Sequence, residues 1–236
     1  MSNILIVTPG IPSIKFNTGW SVILRDFIES VENSNIKIYS NYFRVSKRKE
    51  EITFKTNNKT KVFITKRRLN LKLFIIFLFR IFYKKYSLQE SFFSPILEDR
   101  FIDEINKSDQ IIFFTTRTTL TLKNNYFEHI LKNKKVTLFI LDPLSLAFKK
   151  HSNSCKNPFL SKLYNFESVR LLKGENNISK NIKRITLVNK KDLLRFQGKY
   201  KSKECILHPM KPFIKNAKEK LNKQIINEFS NQKIIY

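Results

Sequence analysis

Residues 9 to 20, PGIPSIKFNTGW, join an apolar run to a helical pattern, a position from which a loop can hold a phosphate-bearing ligand. In open α/β sheets ligands sit outside the carboxyl ends of the strands. Helix N-termini there offer unpaired N–H groups and a partial positive charge. The segment is neither G-x-G-x-x-G nor a P-loop, because no Gly-Lys-Ser/Thr follows. Gly10 can adopt a positive φ, Gly19 can admit a ligand or a neighbouring backbone, and two prolines stiffen the path. A plain connecting loop is the competing reading. Other polar residues end apolar runs: Thr115 with Thr116, Asp142, Asn189 and His208. Asp142 has the side chain for acid–base work or for orienting a hydroxyl. His129 falls in a helical pattern as a surface residue, and neither His151 nor His208 has a ligand cluster beside it. Cys155 and Cys205 are isolated, so neither a zinc site nor a disulfide framework is suggested and no metal is implied.

The elements that must position these residues are written in the periodicity. Apolar, β-branched runs occur at 4 to 8, 36 to 43, 61 to 65, 110 to 114, 135 to 141, 184 to 188 and 205 to 208, with helical patterns between most of them. Trp20, Leu24, Phe27 and Val31 share one helical face, with Asn17 or Thr18 as N-cap. Ser94 before Pro95 and Asn157 before Pro158 read as caps with proline in the first turn, and Gly174 reads as the end of the second of these helices. The alternation predicts an α/β fold: a Rossmann-like, mostly parallel sheet flanked by helices. A helix over roughly 216 to 229 and a strand from Lys233 close the sequence. That strand reads either as the start of a second domain at 231–236, after a first domain at 1–230, or as an edge strand.

A formal charge of +26, from 45 Lys and Arg against 19 Asp and Glu, favours anionic partners. An AT-rich coding sequence would produce the same Lys, Asn, Ile and Phe bias without selection for binding. The 13% aromatic content, led by 22 Phe, excludes an intrinsically disordered chain. The N-terminus lacks the basic and apolar regions of a signal peptide, and a reducing cytosol fits the sparse cysteines. KLFIIFLFRIFYKKY, residues 72 to 86, is the most apolar stretch, yet as a helix its apolar part spans about 20 Å against a roughly 30 Å hydrocarbon core. With the basic residues from 66 onward and Arg80, Lys84 and Lys85 within it, it reads as an element lying in the headgroup layer of an anionic membrane. A buried helix packed on the sheet is the alternative.

The opening ILIVTPGIPSIKFNTGWSVILRDFIESV resembles the start of bacterial glycosyltransferases of the GT-B type, in the family-four-like group, where a first strand ends in a T-P-x-x-P turn and a glycine-containing loop opens the first helix. Later stretches agree in order. FLFRIFYKKYSLQESFFSPILEDRFIDEINKSDQIIFF resembles that group's apolar basic segment, helix and following strand. FILDPLSLAFKKH resembles the strand ending in an acidic residue and a Ser-containing turn. LYNFESVRLLKGENNISKNIKRITLVNKKDLLRF resembles the long helix with paired glutamates and the V-S-x-x-D turn, here Val188, Asn189 and Asp192. Departures are Thr18-Gly19-Trp20 where a Gly-Gly pair is usual, Asn189 for Ser, and Gly174 for Tyr.

The resemblance implies two facing Rossmann-like domains, the first receiving the acceptor and the second gripping a nucleotide-sugar, with no cofactor and no metal. It implies transfer of a sugar to a membrane-associated glycan or lipid-linked acceptor in cell-surface polysaccharide synthesis, on the cytoplasmic face of the plasma membrane. Gly10, Thr18 and Gly19 would approach the donor phosphates; Thr115, Thr116, Asn189 and His208 would line the acceptor side, with Asp142 catalytic. Glu167 and Glu175 have the E-x7-E spacing of the family's donor carboxylates, but that motif belongs to the second domain. Glu175 is expected at a helix end, organising neighbouring backbone. A noncatalytic acceptor-binding or membrane-anchoring subunit, paired with a separate donor-binding chain, is the alternative. A nucleic-acid-binding protein is less favoured, since no helix-turn-helix, zinc-finger or RNP-like signature is present, and no nucleic-acid partner is expected.

Overall fold

A computed structural model describes residues 1–10, 19–31, 33–40, 61–66, 71–123 and 126–208. The caps expected at Asn17 or Thr18, the end of the second apolar run at 41 to 43, the helix at 216 to 229 and the strand from Lys233 lie outside the described residues.

Among the described residues seven strands form one parallel sheet: β1 (Ser2–Thr8), β2 (Ser34–Ser40), β3 (Lys61–Lys66), β4 (Gln110–Phe114), β5 (Lys135–Ile140), β6 (Arg184–Leu187) and β7 (Glu204–Leu207). Their order is β3-β2-β1-β4-β5-β6-β7. The chain winds outward from β1 and then crosses back to lay β4 against β1's other side, so a topological switch point falls between β1 and β4. Each of the seven β-branched apolar runs contains a strand, because a parallel sheet covered on both faces needs continuous, not alternating, apolar residues, whereas the apolar stretch at 72 to 86 is helical. Leu5, Val7, Ile111, Phe113, Val136 and Leu138 face one core, under helices α4 (Asp99–Asn106), α5 (Tyr126–Leu131) and α8 (Lys190–Lys199). Ile4, Ile6, Ile36, Ile38, Ile112 and Phe139 face the other, under α1 (Gly19–Ser30). On α1 Leu24 and Ile28 are fully buried, and Trp20 and Phe27, with Val31 just past the helix, pack partly buried against the same core, as the shared face predicts.

Four more helices lie between these elements: α2 (Leu71–Phe82), α3 (Leu88–Phe93), α6 (Leu144–Ser154) and α7 (Pro158–Asn176). Asn157 caps α7 as its sequence requires, accepting from the N–H groups of Phe159 and Leu160 at 2.9 and 3.1 Å, with Pro158 in the first turn. The hairpin of α6 and α7 is stapled where Ser161 Oγ donates to the Ser152 carbonyl at 2.8 Å.

Two cap readings are corrected. Ser94-Pro95 does not open a helix: Ser94 is the C-cap of α3, and α4 begins at Asp99. The capping box is instead Ser87-Leu88-Gln89-Glu90, where Ser87 Oγ accepts from the Glu90 N–H at 3.0 Å and donates to Glu90 Oε2 at 2.9 Å. Gly174 does not end α7, which runs on to Asn176, and no described glycine has a positive φ. Gly174 makes room for the buried Glu90 carboxylate packed against it.

Candidate functional site

The switch point puts the turn after β1 beside the turn after β4. Thr8, fully buried, fixes the first: its Oγ donates to the Gly10 carbonyl at 2.8 Å. Gly10 is buried here without a positive φ. Gly19 starts α1, and among the described residues a Cβ there would meet nothing within 4 Å, so no described backbone uses the close approach that this glycine permits. Thr18 lies outside the described residues.

The turn after β4 is the more unusual. Thr115 sits at φ 74° and ψ 152°, a region that side chains avoid and β-branched ones most of all. It is held there by its N–H, which donates to the Phe139 carbonyl of β5 at 2.7 Å, and by the two 3₁₀ turns that follow, Thr116–Thr118 and Leu120–Lys123. Ser94 Oγ joins these turns to the end of α3, donating to the Thr118 carbonyl at 3.0 Å and accepting from the Thr121 N–H at 3.2 Å. Within this assembly the buried Oγ1 atoms of Thr115, Thr116 and Thr121 and the Nε of Arg117 have no hydrogen-bond partner among the described residues. Arg117 lies over the Phe93 ring, 5.5 Å from its centre, and burial pushes its guanidinium below the ordinary arginine value. Native proteins rarely leave so many buried polar atoms unsatisfied in one place. Arg117 was missed in the sequence, although TTRTTLT at the end of an apolar strand, a lone cation in a run of hydroxyls, was a readable signal.

Asp142 is exposed in the turn after β5. Its charge reaches Asp192 in the first turn of α8, whose carboxyl is pushed up by burial and then by Asp142, against Arg195 and Lys150. Asp142 after β5 and Lys150 of α6 thus act electrostatically on Asp192 of α8, together with Arg195 of the same helix. Asn189 is there too, but as the α8 N-cap, its side-chain oxygen accepting from the Lys191 N–H at 2.8 Å. His208 follows β7; its N–H donates to the Leu187 carbonyl at 2.7 Å and its ring packs edge-on against Phe139. His151 lies on the α6–α7 hairpin against Tyr164, and His129 is exposed on α5.

The paired glutamates of α7 are both buried helix caps. Glu167 accepts from the Leu88 and Gln89 N–H groups, each at 2.9 Å, at the start of α3. Glu175 accepts from the Ser145 N–H at 3.0 Å and Oγ at 2.6 Å at the start of α6, organising backbone as the sequence reading expects. Burial pushes the Glu175 carboxyl up, opposed by the Ser145 hydrogen bonds and by Arg195 and Lys199.

Leu71, Phe74, Ile75, Phe79 and Phe82 of α2, with Tyr83 just past its end, form one exposed apolar stripe, with Phe82 74% exposed. Lys84 and Lys85 are exposed at its end, Lys84 Nζ lying 5.3 Å from the Tyr83 ring centre. Arg80 does not join them. Its guanidinium donates to the Ser91, Ser94 and Pro95 carbonyls at 3.1, 2.8 and 2.7 Å, and the alternative of a wholly buried α2 also fails. Among the described residues no helix is long and apolar enough to cross a membrane.

No family model matches the chain, and no curated protein matches it. Among solved structures it is similar to the E. coli trehalose-6-phosphate protein bound with UDP-2-fluoro glucose, at 12% identity and a TM-score of 0.37. The likeness covers 83% of this chain and 42% of that one, so the chain spans less than half of that structure's length. The Rossmann-like α/β assignment rests on strand order and register.

Proposed function

We propose that the chain is the acceptor-side half of a GT-B glycosyltransferase, moving a sugar from a nucleotide-sugar to a membrane-associated glycan or lipid-linked acceptor in cell-surface polysaccharide synthesis. The observation that carries this reading is the convergence, at the carboxyl edge of one parallel sheet, of the turns after β1, β4, β5 and β6, in the order of the motifs that resemble this group. In the reaction, an acceptor hydroxyl oxygen bonds to the anomeric carbon while the bond from that carbon to the diphosphate oxygen breaks. The nucleoside diphosphate leaves with the bonding pair, and Asp142 takes the hydroxyl proton. In this reading Gly10, Thr18 and Gly19 would serve the donor phosphates, and Thr115, Thr116, Asn189 and His208 would serve the acceptor.

The exposed α2 stripe, ending in Lys84 and Lys85, supports an acceptor delivered at an anionic membrane surface, with the apolar rings in the headgroup layer. The test is transfer of radiolabelled sugar from a panel of nucleotide-sugars into lipid extract by membranes containing the protein together with a donor-binding half, without which the acceptor-side half is not expected to transfer. Label in the lipid fraction that is lost in Asp142→Ala is the expected result. No label from any donor would overturn the transferase reading, and undiminished label in the variant would remove Asp142 from the chemistry.

A further inference from the structure

We infer that the turn after β4 is an anion subsite in which Arg117 binds a phosphoryl group carried by the acceptor. This deepens the transferase reading and rests on it. The Arg117 guanidinium is half-buried between its own turn and Phe93, its Nε is fully enclosed, and no carboxylate or carbonyl among the described residues bonds it. A cation so placed without a counter-charge is costly, and the cost falls when a mobile anion supplies the missing acceptors. The neighbouring hydroxyls of Thr115 and Thr116 are also unpartnered, and Thr116 is 4% exposed. A guanidinium fork with adjoining hydroxyls suits the several oxygens of a phosphoryl group better than a neutral sugar. The strained φ of Thr115 is the kind of local cost found where a backbone is shaped around a ligand.

The surroundings favour the acceptor over the donor as the source. Phe93, beneath Arg117, belongs to α3, and the end of α3 is tied by Arg80 to α2, whose opposite face is the exposed apolar stripe. A phosphoryl group on a lipid-linked acceptor would thus reach Arg117 beside the element proposed to meet the membrane.

The test is a titration of the ¹⁵N-labelled protein at fixed ionic strength, observing the Arg117 Nε–H resonance. Glycerol 3-phosphate stands for the acceptor phosphomonoester, UDP for the donor diphosphate, and glycerol is the neutral control. Glycerol 3-phosphate should shift the resonance and glycerol should not. Arg117→Lys, which keeps the charge but loses the planar fork, should weaken binding roughly tenfold or more. The double variant Lys107→Ala, Lys132→Ala, at exposed lysines that precede β4 and β5 and so lie at the other edge of the sheet, should bind as the wild type does. An unmoved Nε–H resonance, or wild-type affinity in Arg117→Lys, would overturn the subsite. A larger Arg117 response to UDP than to glycerol 3-phosphate would overturn its assignment to the acceptor. The wild-type titration decides even if the variant does not fold. No donor or transfer enters the measurement, so its failure is separate from failure of the transfer assay.

Discussion

The Glu90 carboxylate fills the space that a side chain at Gly174 would need: its carboxyl carbon lies 2.9 Å from where a Cβ would stand. Glu90 is 2% exposed and held from its other side by Ser87 Oγ at 2.9 Å and Lys123 Nζ at 3.3 Å, so it has little freedom to move away. Replacing a mid-helix Gly with Ala ordinarily stabilises by about 1 kcal/mol, whereas overpacking a core costs about 1–3 kcal/mol. Gly174→Ala is therefore expected to lower the Tm, and Glu90→Ala in the same chain to make the second change neutral or favourable. Additive effects in the double-mutant cycle would show that the two positions do not compete for space.

Arg80 and the pair Lys84 and Lys85 are three cations of one basic stretch with different work. Arg80→Ala removes donors from the Ser91, Ser94 and Pro95 carbonyls, at a cost of about 1–3 kcal/mol. For a chain of this size the Tm should fall by roughly 2 to 12 °C. An unchanged Tm would mean that these hydrogen bonds do not hold α3.

Lys84→Glu with Lys85→Glu should leave the Tm nearly unchanged, because both side chains are exposed. Sedimentation with phosphatidylserine vesicles should weaken by about thirtyfold or more, at about 1 kcal/mol for each lysine near the surface. Vesicle binding equal to that of the wild type would remove α2 from the membrane reading.

The fold was legible because a sheet covered on both faces demands uninterrupted apolar runs, and each of the seven short β-branched runs became a strand, while the longer run at 72 to 86 became a helix. Helix starts were less legible. Asn157-Pro158 behaves as its types predict, whereas Ser94-Pro95 carries the same local signal and ends a helix, because Ser94 Oγ is engaged by the Thr118 and Thr121 backbone across a long sequence separation. Gly174 was misread for a related reason: a helix-ending glycine and a glycine yielding space to a distant carboxylate look alike in one dimension. In the site, Asp142 could be placed from its strand alone, but the orphaned nitrogen of Arg117 exists only once Phe93 is folded against it.

Glu175 makes stability depend on pH in a direction opposite to that of an ordinary paired carboxylate. Its folded-state value is raised by burial above the ordinary 4.5, so between those two values the folded chain binds more proton than the unfolded one. Stability contributed at this site is fully present below the unfolded value and is lost as pH rises through the raised one. Glu175→Gln retains an acceptor for the Ser145 N–H and removes the titration. The Tm of the wild type minus that of Glu175→Gln should therefore fall as pH rises from about 4.5 upward. A difference that stays flat or grows over that range would show that the buried carboxylate is not raised.

Thr115 tests whether the turn after β4 is held in strain. At φ 74° and ψ 152° a β-branched residue is in a region that costs on the order of 1–3 kcal/mol and that glycine enters freely. Thr115→Gly relieves that cost and adds about 0.5–1 kcal/mol of unfolded-chain entropy. It also deletes a buried hydroxyl that has no hydrogen-bond partner among the described residues, which removes a desolvated group rather than a contact. The backbone bond to the Phe139 carbonyl survives, so the turn keeps its anchor to β5. The expected outcome is a Tm equal to or a few degrees above that of the wild type, together with weaker binding of glycerol 3-phosphate as a hydroxyl leaves the subsite. A fall in Tm would mean that the Thr115 side chain supports the turn. A higher Tm with undiminished binding would mean that the strain is not maintained for this ligand.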